Sequence, residues 1–158
     1  MQAKEMKILN RRGIEEIERI VERNYGAKLN LDCYVVLIVG VEKKIWLASR
    51  EILKIELEKL SINSIGFYFG KLKRNDKIHL STEGSQIVGR FAKKNIVELG
   101  EESAENFMKG MDVKNMSRID CEPHNFVLVR SGKDFLGCSL LTENELQNLL
   151  PKSRRILT

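Results

Sequence analysis

Proline occurs only twice in this 158-residue chain and cysteine three times. With so little proline, and no low-complexity run, the chain is neither collagen-like nor a linker. At 42% hydrophobic and 31% charged residues it has the composition of an ordered protein. Cys33, Cys121 and Cys138 are odd in number and widely spaced, form no C-x-x-C pair, and are joined only by His79 and His124, themselves far apart. Neither a disulfide framework nor a metal site is expected from such a set. The longest apolar run, Tyr34 to Val41, contains Gly40 and falls well short of the roughly 20 residues needed to span a membrane. The polar N-terminus lacks a signal peptide's apolar core. A cytoplasmic protein with no membrane partner is therefore expected. Phosphate-cradling glycine loops of the G-x-x-x-x-G-K-[ST] and G-x-G-x-x-G types are also absent, which argues against nucleotide hydrolysis, dinucleotide chemistry and any cofactor.

What is present is basic and unevenly placed. A chain of this length buries roughly 70% of its unfolded surface, as one compact domain or as two small ones sharing an interface. The net charge is +5. Residues 1–92 carry 17 basic and 12 acidic groups, whereas residues 93–158 carry 10 of each. Lys71, Lys73, Arg74, Lys77, Arg90, Lys93 and Lys94 crowd one stretch that holds only Asp76 and Glu83 as acids, and Lys152, Arg154 and Arg155 follow near the C-terminus. If the two clusters meet they form one cationic face suited to a phosphate backbone; otherwise they are solvated lysine-rich turns.

Periodicity predicts a helix over Arg12–Asn24, with Ile14, Ile17, Ile20 and Val21 on one face and Gly26 as its left-handed stop. Cys33–Val39 and Lys44–Ala48 read as a hairpin, and Ser49 as the cap of a helix over Arg50–Leu60. Two further strands, Ile65–Leu72 and Lys77–Leu80, and a helix over Thr82–Ala92 complete a small α/β unit over residues 1–92.

Residues 93–158 follow a different pattern. A strand (Asn95–Leu99), a short helix (Glu101–Lys109) stopped by Gly110, strands Asn125–Arg130 and Asp134–Leu141 about a Ser131-Gly132-Lys133 loop, and a last strand over Lys152–Leu157 predict a compact barrel. Its last strand is expected to pair with its first, closing the barrel. The fold class expected for the whole chain is α+β.

The C-terminal run Lys94-Asn95-Ile96-Val97-Glu98-Leu99, Ala104, Phe107-Met108-x-Gly110-x-Asp112-Val113, Asn125-Phe126-Val127-Leu128-Val129 and Phe135-Leu136-Gly137-Cys138 resembles a PUA domain in order and spacing. PUA domains are pseudo-barrels, and the resemblance implies RNA binding without chemistry. Phe69-Gly70-Lys71-Leu72-Lys73, Lys77-x-His79-Leu80 and Phe91-Ala92 are similar to the junction in a two-domain family of large-subunit ribosome-biogenesis factors. Leu149-Leu150-Pro151-Lys152-Ser153-Arg154-Arg155-Ile156 resembles archaeal proteins related to the C-terminal part of the NOL/NOP-type RNA cytosine methyltransferases. These resemblances imply ribosomal RNA as target, and another assembly protein or an RNA methyltransferase as partner of the N-terminal domain. The alternative is a translation-factor-like PUA protein acting on the small subunit or on transfer RNA.

In PUA domains RNA lies against the small helix, its glycine turn and the final strand. The matching positions here are Gly110, Met111, Asp112 and Val113 with Lys152, Arg154 and Arg155, extended by Lys114 and Arg118; Lys71, Lys73, Arg74, Lys93 and Lys94 supply an additional basic face. Gly110 admits close backbone approach to a ligand, although glycine is also the ordinary stop of any helix. Arginine forks grip phosphate oxygens in pairs or stack on bases. Trp46 and Cys138 read as packing residues, and neither histidine sits in a catalytic motif.

Overall fold

The structure is a computed structural model that describes residues 6–54 and 66–156. β1 (Met6–Ile8), β2 (Tyr34–Val39), β3 (Lys44–Ser49), β4 (Gly66–Lys73) and β5 (Lys77–Leu80) form an antiparallel meander in sequence order. α1 (Arg11–Tyr25) is capped by the Asn10 side chain, which accepts from the Gly13 amide at 2.9 Å, and is stopped by Gly26 at φ 67°. Of its predicted stripe, Ile17, Ile20 and Val21 are buried and Ile14 is partly so; Tyr25 joins them against Val36, Ile45, Leu47, Phe69 and Ile78 of the sheet. After Ser49 the chain makes a single 3-10 turn, Arg50–Lys54; the rest of the helix expected to Leu60 lies outside the described residues.

α2 (Thr82–Gly89) begins at Ser81, whose hydroxyl accepts from the Gly84 amide, and packs between β4 and the second sheet. That sheet contains β6 (Ile96–Glu98), β7 (Ser117–Ile119), β8 (Asn125–Ser131), β9 (Asp134–Leu141) and β10 (Leu146–Gln147) in the order β10-β9-β8-β6-β7. All its pairings are antiparallel except β6 with β8. α3 (Glu101–Met108) drives Phe107 into a second core with Val97, Leu99, Val127, Val129, Leu141 and Leu146.

The main core does not stop at the junction of the halves. Ile96, Leu128 and Cys138 belong to the same apolar cluster as Tyr25, Phe69 and Ile78. The Tyr25 hydroxyl donates to the Ile78 carbonyl at 2.8 Å and lies 3.5 Å from the Cys138 sulfur. Asn95, at φ 54° in the left-handed region that asparagine tolerates, donates from its side chain to the Asn24 carbonyl at 2.6 Å and accepts from the Glu122 amide at 3.1 Å. Every buried polar side-chain atom among the described residues has a partner, so these ties leave nothing orphaned.

The structure corrects several expectations. Lys152–Arg154 is a 3-10 turn, not a strand, and the described residues contain no pairing of that segment with β6. Pro151 fixes φ at −58° and the chain turns at once, with the Arg154 amide donating to the Pro151 carbonyl at 2.9 Å. Val113 makes one isolated bridge, to Leu146. Arg118, with Ser117, lies in edge strand β7, which the sequence reading did not anticipate. The β8–β9 loop is one residue tighter than expected, because Ser131 pairs with Asp134 and leaves Gly132 and Lys133 at the turn.

Candidate functional site

The end of α3 and the chain's last described turn are built against each other. Phe107 is fully buried and fixes the helix. Past it Gly110 takes φ 96°, a conformation that penalises any residue with a Cβ. Asn148, just beyond β10, clamps the turn from outside. Its side-chain amide donates to the Phe107 and Met111 carbonyls, both at 2.8 Å, and its backbone amide donates to the Asp112 carboxylate at 2.8 Å. Asp112 is thus a support of the turn.

The cationic segment folds back over this turn. The Ile156 amide donates to the Met108 carbonyl at 2.7 Å, and the Arg155 guanidinium donates from Nε to the Leu150 carbonyl at 3.0 Å. The Arg155 side chain covers Gly110 so closely that a Cβ there would stand 2.8 Å from its Cδ and Nε. Met111 and Ile156, both about half exposed, flank it. Lys152 and Arg154 are exposed, and Arg154 is held by the Glu83 carboxylate of α2.

So Gly110, Met111, Asp112 and Arg155 are brought together, with Lys152 on the same segment. Val113 is 5% exposed and bridged to Leu146, so its side chain supports the turn from the core and offers no contact surface. Lys114 is exposed, and Arg118, on β7, donates to the Glu143 carbonyl at 3.0 Å.

The additional basic residues divide. Lys71, Lys73 and Arg74 line a surface groove with Lys43 at the hairpin tips, beside the carboxylates of Glu16, Glu42 and Asp76. Lys93 and Lys94 pack instead around Gly26, next to the end of α1. These two lysine groups therefore line separate grooves.

Between the halves lies a cleft of about 250 Å³, lined by Tyr68, His79, Ser81, Thr82, Glu83, Cys138 and Arg154 among others. His79 stacks on Phe126 at 5.1 Å and its Nε2 is 3.0 Å from the Cys138 carbonyl oxygen. Burial, and then the Lys73 and Lys71 charges, hold its imidazole below the ordinary histidine range. Burial pushes the Cys138 thiol up to about 11, so it is a packed thiol and no nucleophile. No cluster of histidine, cysteine and carboxylate groups capable of holding a metal occurs among the described residues.

Neither the Asn148 clamp, the Glu83 partner of Arg154 nor the His79–Phe126 stack can be read from the sequence. Each joins residues remote in the chain and leaves no periodic signal.

A meander packed by one helix, followed by a curled mixed sheet whose short helix ends in a clamped glycine turn, is the architecture of PUA-domain proteins. Residues 94–156 match the family model described as the PUA domain of the methyltransferase RsmF. The fold of the whole chain is similar to that of a conserved PUA-domain protein from Thermoplasma acidophilum, at 10% identity over 93% of each chain with a TM-score of 0.63. It is similar also to a PUA domain from Aeropyrum pernix K1 solved with tartrate, at 8% identity over 92% of this chain and 85% of that one, TM-score 0.52. No curated protein matches the chain. The fold is thus that of PUA-domain proteins, and its C-terminal part matches a PUA-domain model.

Proposed function

We propose that this protein binds RNA, without chemistry of its own, through the Gly110 turn and the Lys152–Ile156 segment. The arrangement of Arg155 over Gly110 carries the reading. It lays a guanidinium over the glycine turn, next to exposed Met111 and Ile156 that can lie against bases while Lys152 meets phosphate. The target is ribosomal RNA in the cytoplasm during ribosome assembly, with the N-terminal half turned towards another assembly protein. The resemblance of the Phe69–Lys73 and Lys77–Leu80 stretches to biogenesis factors supports that target.

The test is fluorescence anisotropy with labelled single-stranded and hairpin RNAs at two salt concentrations, comparing the native chain with Lys152→Glu/Arg154→Glu/Arg155→Glu. For every phosphate that the variant no longer neutralises, the salt dependence should flatten by roughly 0.7 to 0.9 of a logarithmic unit of slope. Native affinity in the folded triple variant would remove the site from this segment. An absence of RNA binding by the native chain would end the reading. Co-sedimentation with precursors of the large subunit, rather than with small subunits, checks the target.

The match of residues 94–156 to a methyltransferase's PUA domain favours a second reading, in which the chain delivers RNA to a separate methyltransferase. Pull-down that recovers assembly factors and no methyltransferase would dismiss it.

A further inference from the structure

The outer face of the N-terminal sheet carries a charge pattern that folding does not reward. Ile45, Leu47, Phe69, Leu72, Ile78 and Leu80 point into the core beneath α1, a bulge in β4 opposite Ile45 and Trp46 letting both Phe69 and Leu72 do so, and the register turns Lys44, Trp46, Tyr68, Lys71, Lys73, Lys77 and His79 to the other face. The register sets Lys44 directly opposite Lys71, and Lys73 directly opposite Lys77. Like charges facing one another across an antiparallel pair destabilise it. Among the described residues only Glu42 answers them, 3.4 Å from Lys44 and 3.3 Å from Lys71. No carboxylate of the described residues bridges Lys73 or Lys77. Lys77 directs one donor to the His124 carbonyl, and the Lys73 ammonium stands 5.9 Å from the centre of the Phe126 ring.

Aromatic rings are interleaved with these lysines. Trp46 and Tyr68 meet at 5.7 Å, and His79 is stacked on Phe126. Tyr68 and His79 also line the cleft whose far wall is Leu149, Leu150, Pro151 and Arg154. That cleft, itself without lysine, thus lies between the lysine face and the C-terminal cationic segment.

We infer that this face is a second contact surface for single-stranded RNA, continuing the track that begins at the Gly110 turn. Lys44, Lys71, Lys73 and Lys77 hold phosphates, and the half-buried Tyr68 ring offers a base its face, backed by Trp46, which itself packs on Val35, Leu37, Val39 and Ala48. Same-face neighbours along a strand lie ~7 Å apart, matching the step between successive phosphates of an extended strand. A cleft of about 250 Å³ admits a nucleobase but no duplex. The inference rests on the RNA-binding reading above.

The probes are fluorescein-labelled oligouridylates of about 5 and about 15 nucleotides, the shorter covering one site and the longer both. Trp46, the chain's one tryptophan, reports occupancy of the face by its fluorescence. The longer strand should bind more tightly and quench Trp46, and the shorter should do neither. Lys71→Gln/Lys73→Gln should weaken the longer strand and leave the shorter as in the native chain. Over a fourfold rise in salt the native affinity for the longer strand should fall about sevenfold more than that of the variant, which neutralises two phosphates fewer.

If the glutamine pair matches the native chain on both lengths while the Lys152/Arg154/Arg155 variant loses both, the site at Gly110 stands and the second surface is refuted. Binding of neither strand by the native chain overturns both readings together. A duplex of the longer length that binds as tightly as the single strand overturns the single-strand assignment. Polyglutamate that binds equally well and quenches Trp46 alike would give the face to an acidic protein instead.

Discussion

Replacing Gly110 by alanine separates backbone strain from RNA recognition in one residue. The glycine sits at φ 96°, where a Cβ costs roughly 1–3 kcal/mol. Alanine recovers roughly 0.4–1 kcal/mol by restricting the unfolded chain, so a net loss of about 1–2 kcal/mol is expected. For a chain of this size that is a fall of roughly 2–8 °C in Tm. The new methyl group would also stand 2.8 Å from Cδ of Arg155, but that is the far end of a flexible side chain. The arginine swings away and gives up its 3.0 Å bond to the Leu150 carbonyl. A single charged hydrogen bond to RNA is worth roughly 1.5–3 kcal/mol, so affinity should drop at least tenfold. The assay is a double-mutant cycle with Arg155→Ala, read by anisotropy and by thermal melting. Because both substitutions act on one guanidinium, the double variant should bind RNA no worse than Arg155→Ala alone. Fully additive losses in affinity, or a destabilised Gly110→Ala that binds RNA as the native chain does, would refute the placement of Arg155 in the interface.

Packing and charge set three further outcomes. Gly89 faces the Phe135 ring so closely that a Cβ would stand 2.5 Å from it, so Gly89→Ala should cost about 1–3 kcal/mol, seen as a lowered urea midpoint. Lys73→Glu turns a like-charge pair with Lys77 into an attractive one; it should raise stability by roughly 0.2–1 kcal/mol while weakening the longer RNA, and a loss of stability would contradict the register. Burial and the nearby lysines keep His79 below its ordinary value of 6.5, so the unfolded chain takes up this proton first. Stability is therefore complete above that value and is lost as the pH falls towards the folded-state value. His79→Gln should reduce the difference between urea midpoints at about pH 7.5 and about pH 5.5.

The elements with strong periodic patterns are legible in the sequence. α1 is announced by Ile14, Ile17, Ile20 and Val21 and by Gly26, and β8 and β9 by their apolar runs on either side of Gly132. α3 and its glycine turn are legible for the same reason. β7 escapes such reading because Ser117-Arg118-Ile119 is a mostly exposed edge strand with little apolar alternation to betray it. The final segment misleads because Pro151 before it and Ile156 within it suggest an ordered strand. What decides its shape is the fixed φ of Pro151 and the Met108 carbonyl, which takes the Ile156 amide from the far side of the fold. In the site, residue types point to Gly110 and Arg155 but not to their mutual packing. The lysine face needs the β4–β5 register, since sequence spacing alone does not say which lysines stand opposite.

The core shared between the sheets bears on how the RNA surface can be used. A fragment beginning at Lys93 would carry the Gly110 turn and the arginines, yet Ile96, Leu128 and Cys138 would be stripped of Tyr25, Phe69 and Ile78, and Asn95 of its bond to Asn24. Such a piece is not a transferable cassette: grafted to another protein it would present a raw apolar flank and invite aggregation before it met any RNA. The chain should accordingly melt in a single transition, and shuffling its halves among relatives should fail unless the residues at the seam travel together.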